Sequence, residues 1–172
     1  GMLSRIAGLF TRRGYNIDSL TVGTTADPRF SRATIVSTGD DQVLGQIEAQ
    51  LMKLEDVLDI KRLDSGSSVC RELLLLKIAA NKNDRQEVIS IANIFRANII
   101  DVARESLVIE LTGNQSKLEA FINMLDGYEI LELARTGLTG LSRGTFDVKV
   151  PDKTFDETGK LVYYDDYEPD FD

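Results

Sequence analysis

Histidine is absent from this chain of 172 residues, cysteine occurs once, tryptophan not at all and proline three times. Without histidine there is no Ser/His/Asp triad, no Cys/His dyad and no imidazole-ligated metal site, and one cysteine makes no disulfide within the chain. No run of about 18 apolar residues is available to cross a bilayer, and no basic leader precedes a short apolar core. These absences remove the commonest catalytic engines, and they make the cytoplasm the expected compartment. Positive charge is also short. Twenty Lys and Arg face 28 Asp and Glu, for a net charge of −8, a field that repels nucleic-acid phosphates. The imbalance is local: residues 145–172 hold nine acids against three lysines, with two of the three prolines and six of the twelve aromatics. That composition predicts a mobile tail, the alternative being a segment laid on a partner surface.

What is present is a repeat. Ile6-Ala7-Gly8-Leu9-Phe10 is answered by Ile91-Ala92-Asn93-Ile94-Phe95, and Asn16-Ile17-Asp18 by Asn98-Ile99-Ile100-Asp101. Thr38-Gly39-Asp40 is answered by Thr112-Gly113-Asn114, and Ile47-Glu48-Ala49 by Leu118-Glu119-Ala120. The offset falls from 85 to 82, 74 and 71 residues along the chain, as expected where two copies of one unit differ in their loops.

Within each copy the apolar period alternates between helix and strand. Leu3, Ile6, Ala7 and Phe10 predict a helix over 2–13 ended by Gly14. The β-branched residues of 17–24 and 32–38 predict two strands around a loop at Asp27-Pro28. Asp40 or Asp41 caps a second helix with Val43, Leu44, Ile47, Leu51 and Leu54 on one face, and 57–63 is expected to resume as strand. The second copy opens with a strand over 71–79, whose Leu73-Leu74-Leu75-Leu76 run suits burial on both faces. A helix over 84–95, strands near 98–103 and 106–111, a helix over 115–125 and a strand over 128–134 follow. The complete unit is βαββαβ, and the fold class is α+β: two ferredoxin-like units in tandem, antiparallel sheets with helices on one face. The expected domains are 1–63 and 70–144, with a linker at 64–69 and the tail at 145–172. The first unit lacks its leading strand, so the expectation is a chain truncated at its N terminus, or a strand supplied by another chain or segment.

Catalytic constellations are not found. Asp40-Asp41 and Asp165-Asp166 read as solvated charges at a cap and in the tail, and Cys70 has no base to activate it. Gly137-Leu138-Thr139-Gly140 lacks phosphate-loop spacing and reads as turns. A binding site is easier to justify. Gly1-Met2-Leu3 stands at the first helix start, where unpaired N–H groups suit a small carboxylate. Asn16, past the Gly14 stop, carries an amide able to accept from an ammonium group, or else merely closes its own turn.

The segment Gly-Met-Leu-Ser-Arg-Ile-Ala-Gly-Leu-Phe-Thr-Arg-Arg-Gly-Tyr-Asn-Ile-Asp-Ser-Leu-Thr-Val (1–22), with Asp27-Pro28, Ser31-Arg32 and Thr34-Ile35-Val36, closely resembles the regulatory small subunit of acetohydroxyacid (acetolactate) synthase. Asn93-Ile94-Phe95-Arg96, Ile99-Ile100-Asp101-Val102 and Gly140-Leu141-Ser142-Arg143-Gly144 fit the same family. The resemblance covers about residues 1–144 and implies an ACT domain followed by an ACT-like domain. It implies a subunit without catalysis of its own, which activates a catalytic large subunit carrying thiamine diphosphate, FAD and magnesium, and confers feedback inhibition by valine in branched-chain amino acid biosynthesis. No cofactor is expected on this chain, and neither nucleic acid nor membrane is an expected partner. In the family, ACT domains of two chains pair side by side with valine at their interface. The matching positions here are Gly1, Met2, Leu3, Asn16 and Ile17, with backbone N–H groups for the carboxylate, the Asn16 amide for the ammonium and apolar walls for the isopropyl group.

Two other readings compete. A free-standing amino-acid-sensing protein predicts the same fold with no synthase partner. An RNA-recognition module shares the topology but needs exposed aromatics on its central strands and a basic face, whereas 71–79 offers leucines.

Overall fold

In a computed structural model of the chain, residues 1–145 are described, and they form four helices and seven strands. Contacts divide the chain into two compact units, Cys70–Thr139 and Gly1–Val69 with the residues from Gly140. The tail expected at 145–172 lies, beyond Thr145, outside the described residues.

In the first unit, α1 (Met2–Arg13) buries Ile6, Leu9 and Phe10, spaced three and four apart on one face. Gly14 ends it in the left-handed region at φ 69°, and Tyr15 N–H closes back on the Phe10 carbonyl at 2.9 Å. Strands β1 (Ser19–Thr24) and β2 (Ser31–Val36) pair antiparallel from Ser19 opposite Val36 to Thr24 opposite Ser31. Asp40 caps α2 (Asp41–Met52), its carboxylate accepting the Val43 N–H at 2.9 Å. Ile47 and Leu51 of α2 meet Ile6, Leu9 and Phe10 in one core.

The second unit repeats this plan with a strand in front. β3 (Ser68–Ala79) is followed by α3 (Arg85–Ile94), β4 (Asn98–Val102), β5 (Ser106–Gly113), α4 (Gln115–Met124), β6 (Ile130–Arg135) and β7 (Thr139–Ser142). The strand order is β4-β5-β3-β6, all antiparallel, with β7 also on β3. Leu74, Leu76 and Ile78 of β3 and Leu107, Ile109 and Leu111 of β5 pack under Val88, Ile91, Leu118 and Phe121 of the helices.

The structure explains the repeat residue by residue. The helix ends correspond at an offset of 82: Arg96, at φ 58°, takes the left-handed place of Gly14, and Ala97 N–H bonds the Ala92 carbonyl at 2.8 Å as Tyr15 bonds Phe10. Buried Ile6, Leu9 and Phe10 then correspond to buried Val88, Ile91 and Ala92, so the match of Ile6 to Ile91 made from sequence alone is three residues out of step. The Thr-Gly-Asx repeat is a helix start in both copies. Asn114 caps α4 as Asp40 caps α2, accepting from Lys117 N–H at 2.9 Å. A Cβ at either glycine would crowd the next helix turn: on Gly39 it would lie 2.8 Å from Cγ1 of β-branched Val43, and on Gly113 3.1 Å from Lys117 Cβ and 3.2 Å from Leu118 Cδ1. From these caps the helices stay in register, so buried Ile47 and Leu51 correspond to buried Phe121 and Leu125. The match of Ile47 to Leu118 made from sequence alone is therefore three residues out of step; it followed the Glu-Ala pair instead of the buried face.

Four expectations are corrected. Residues 57–63 form no strand. In the second unit the last strand, β6, pairs only with the first, β3, and among the described residues of the first unit no strand precedes α1, so 57–63 has no ladder to join. Ile60 still packs on the core while Leu58 is half exposed. β3 is buried on one face, not both: Leu74 and Leu76 are sealed under the helices whereas Leu75 faces the open side. The 64–69 linker is shorter than expected, because β3 begins at buried Ser68, whose hydroxyl donates to the Asp64 carbonyl. Gly137 does make a turn at φ 86°, but Thr139 and Gly140 belong to β7.

One ion pair is built into the second sheet. Glu72, on the helix-facing side of β3, accepts from Arg135 Nε at 2.9 Å, Arg135 Nη2 at 3.0 Å and Gly137 N–H at 3.2 Å. The Arg135 hydrogen bonds hold the Glu72 carboxyl below the usual glutamate range, against the opposing effect of burial. Because the folded pKa lies below the unfolded one, this stability is complete above the ordinary glutamate value and is lost as pH falls through the lowered one. Glu72→Gln is expected to cost the second unit about 2 kcal/mol at pH 7, read from amide exchange at Leu74 and Leu76, with the deficit closing at acid pH. Gly39→Ala is expected to cost the first unit about 1 kcal/mol, since β-branched Val43 must move; amide exchange at Ile47 and Leu51 measures it.

Candidate functional site

The start of α1 is an open donor site. Gly1 is its N-cap and makes no side-chain cap bond, and the first turn has no acidic residue. The Gly1 carbonyl accepts the Arg5 N–H at 3.3 Å, which starts the helix. A Cβ on Gly1 would meet no described atom within 4 Å. The N-terminal end of a helix dipole favours an anion there. Met2 is half-buried against the first core and Leu3 is 51% exposed beside it.

Asn16 lies past the other end of the same helix. Its Nδ2 donates to Asp18 Oδ1 at 2.7 Å, its backbone carbonyl accepts from Ser37 Oγ at 2.5 Å, and Thr38 Oγ1 donates to Asp18 Oδ2 at 2.6 Å. The turn-closing role is thus real, and it leaves the Asn16 Oδ1 acceptor without a partner among the described residues. Beside it stands the Asp18 carboxylate, exposed to solvent. An amide oxygen next to a carboxylate suits an ammonium group better than an amide alone. The sequence reading missed Asp18, Ser37 and Thr38 as site residues; the signal available was the repeated Asn-Ile-Asp, which served only to align the copies. Ile17 is half-buried and packs on the same core as Met2.

The geometry sorts the five candidates into two groups. Met2 and Ile17 border one core. The Gly1–Leu3 N–H groups and Asn16, however, are separated by the 12 residues of α1, about 18 Å at about 1.5 Å per residue. The carboxylate and ammonium of an α-amino acid share one carbon atom, so the two groups of one chain do not reach the same free amino acid. Among the described residues there is no group of three or more His, Cys, Asp or Glu placed to hold a metal ion, and no helix is long and apolar enough to cross a membrane.

Comparison with known proteins accounts for both units. Residues 1–59 match the family described as the AHAS small subunit-like ACT domain, and residues 71–144 match the family described as the small subunit of acetolactate synthase. The chain is 51% identical over 145 residues to the acetolactate synthase isozyme 3 small subunit of Salmonella typhimurium, covering 84% of this chain and 89% of that one. It is 49% identical over 144 residues to the acetolactate synthase small subunit of Mycobacterium bovis, with 84% and 86% covered. The crystal structure of the acetolactate synthase small subunit from Thermotoga maritima superposes with a TM-score of 0.79 at 43% identity, covering 84% of this chain and 90% of that one. With ferredoxin-like, ACT-type units and about half of the aligned residues shared with these relatives, the chain belongs to the acetolactate synthase small-subunit family.

Proposed function

We propose that the chain is the regulatory subunit of an acetolactate synthase: it binds the thiamine-diphosphate-dependent catalytic subunit, raises its activity, and makes that activity sensitive to valine. Family membership along both units carries this reading. The residue inventory supports it, since the chain has no histidine and its one cysteine has no histidine base to activate it. Its chemistry is recognition.

The effector is held between two chains. The α1 start of one protomer, Gly1 to Leu3, takes the carboxylate on its N–H groups, and the Asn16 amide oxygen with Asp18 of the other protomer takes the ammonium. Met2, Leu3 and Ile17 wall the isopropyl group. The length of α1 supports this arrangement, because it separates the two polar groups within one chain. A two-fold dimer then has two equivalent sites, and filling them favours whichever dimer arrangement closes both. Inhibition follows only if that arrangement serves the catalytic subunit less well, since an effector indifferent to the two states shifts nothing.

Acetolactate formation by the cognate catalytic subunit, with and without this chain across a valine titration, tests the proposal. Activation that valine reverses is the expected result. Absence of any effect on the synthase would favour the free-standing amino-acid sensor. Asn16→Ala is expected to keep activation and to raise the valine concentration for half-inhibition roughly tenfold or more, the loss of one hydrogen bond to a charged group; unchanged sensitivity would remove Asn16 from the site.

A further inference from the structure

The turn after α1 is bonded to the residues that lead into α2. Asp18 N–H donates to the Val36 carbonyl at 2.7 Å and Ser37 Oγ to the Asn16 carbonyl at 2.5 Å, and these two bonds close the turn on the end of β2. A third bond joins side chains alone: Thr38 Oγ1 donates to Asp18 Oδ2 at 2.6 Å, while Asp18 Oδ1 takes the Asn16 Nδ2 donor at 2.7 Å. The terminal torsions of a carboxylate and an amide are broad and roughly two-fold, so neither group keeps a fixed plane by itself. With Thr38 on one oxygen and Asn16 on the other, the Asp18 carboxylate is held at both ends, and the Asn16 amide is left with its oxygen uncommitted. An ionised carboxylate has about four lone-pair sites, so these two bonds leave Asp18 able to accept an ammonium N–H as well.

The second unit builds the same helix start without that third bond. Thr112-Gly113-Asn114 repeats Thr38-Gly39-Asp40, and Asn114 caps α4 as Asp40 caps α2, yet among the described residues the side chains of Asn98, Asp101 and Thr112 make no hydrogen bond with one another. One extra residue, Ile100, lies between Asn98 and Asp101, and the β4–β5 ladder shifts register there and sets Asp101 opposite Val108. The threonine–carboxylate bond is thus dispensable for the fold, and the copy that has it is the copy with the uncapped donors at Gly1. On the effector arrangement proposed above, we infer that Thr38 is a positioning residue of the ammonium site: it fixes Asp18, Asp18 fixes the Asn16 amide, and the same threonine, two residues before the Asp40 cap, carries the occupancy of the site into the start of α2. The path is short. A Cβ on Gly39 would lie 2.8 Å from Val43 Cγ1, and the Asp40 carboxylate and carbonyl accept the Val43 and Leu44 N–H groups at 2.9 and 3.0 Å. An ammonium drawn to Asp18 bears on this cap through Thr38, and an effector that favours one arrangement of the cap biases α2.

Valine inhibition of the reconstituted synthase, with each variant referred to its own valine-free rate, tests the positioning role. Thr38→Val keeps the branched shape and loses the hydroxyl, and it is expected to raise the valine concentration for half-inhibition roughly fivefold. Thr38→Ser restores the donor and is expected to stay within about twofold of the parent, and Thr112→Val, the same change in the second unit, to leave the value unchanged. Amide exchange of the full chain at saturating valine tests the link to α2. The effector is expected to slow exchange at Val43 and Leu44 severalfold in the parent and not in Thr38→Val, while exchange at Ile47 and Leu51 checks that α2 is intact in the variant. Parent-like inhibition of Thr38→Val, parent-like protection of its Val43, or a Thr38→Ser protein as insensitive as Thr38→Val would each overturn the inference and leave the effector reading in place, whereas a parent synthase indifferent to valine would remove both.

Discussion

Among the described residues, each sheet is covered by helices on one face only, and the placement of the site follows from that. In the second unit the alternation along β3 puts Leu74, Leu76 and Ile78 in full burial and leaves Leu75 on the open side. In the first unit the contact of Ile6, Leu9 and Phe10 with Ile47 and Leu51 fixes α1 against α2. Once α1 is fixed, so are its two ends: the uncapped donors at Gly1 and the Asn16–Asp18 turn. A core of ordinary aliphatic packing thus does what a catalytic scaffold would do elsewhere, holding polar groups in defined positions at a surface.

Much of this was legible in the sequence because the decisive signals were local. The helical spacing of Ile6 and Phe10, the Gly14 stop and the Asp40 cap depend only on neighbours within a turn, and each is where the pattern expects it, whereas Leu3 and Ala7, expected on the same face, are exposed and Leu9 is buried instead. What depended on distant partners was not legible. Residues 57–63 have the composition of a strand, but a strand needs a ladder. The leucine run of β3 reads as doubly buried until the topology leaves one of its faces uncovered. Glu72 and Arg135 are 63 residues apart, so nothing local marks them as a pair. The candidate site shows the same division. Gly1 and Asn16 each carried a local reason to bind, yet that they occupy opposite ends of one helix is a matter of geometry, and the Asp18 network emerges only when β2 brings Ser37 and Thr38 alongside.

The separation has a regulatory consequence. A ligand gripped wholly within one chain need not care how two chains are arranged, and its binding energy has no direct route into quaternary structure. A ligand whose carboxylate and ammonium are held by different chains couples to their arrangement by construction, with the differential affinity supplied by whether both halves are in place. On the proposed arrangement, the division of the binding groups gives the subunit a contact between chains whose strength follows the effector concentration.

The most direct measurement is valine binding by mixed dimers. Leu3→Pro removes one donor of the α1 start at a position where proline is tolerated, and Asn16→Ala removes the acceptor at the other end; each variant alone is expected to bind valine roughly tenfold or more weakly than the parent and to keep no site of parent affinity. A site shared between chains predicts that an equimolar mixture, allowed to exchange subunits, recovers about a quarter of the parent capacity by calorimetry, because half of the dimers are mixed and each of these has one intact site. A mixture with no site of parent affinity, while the unsubstituted dimer has two, would contradict a shared site and return the effector to a single chain.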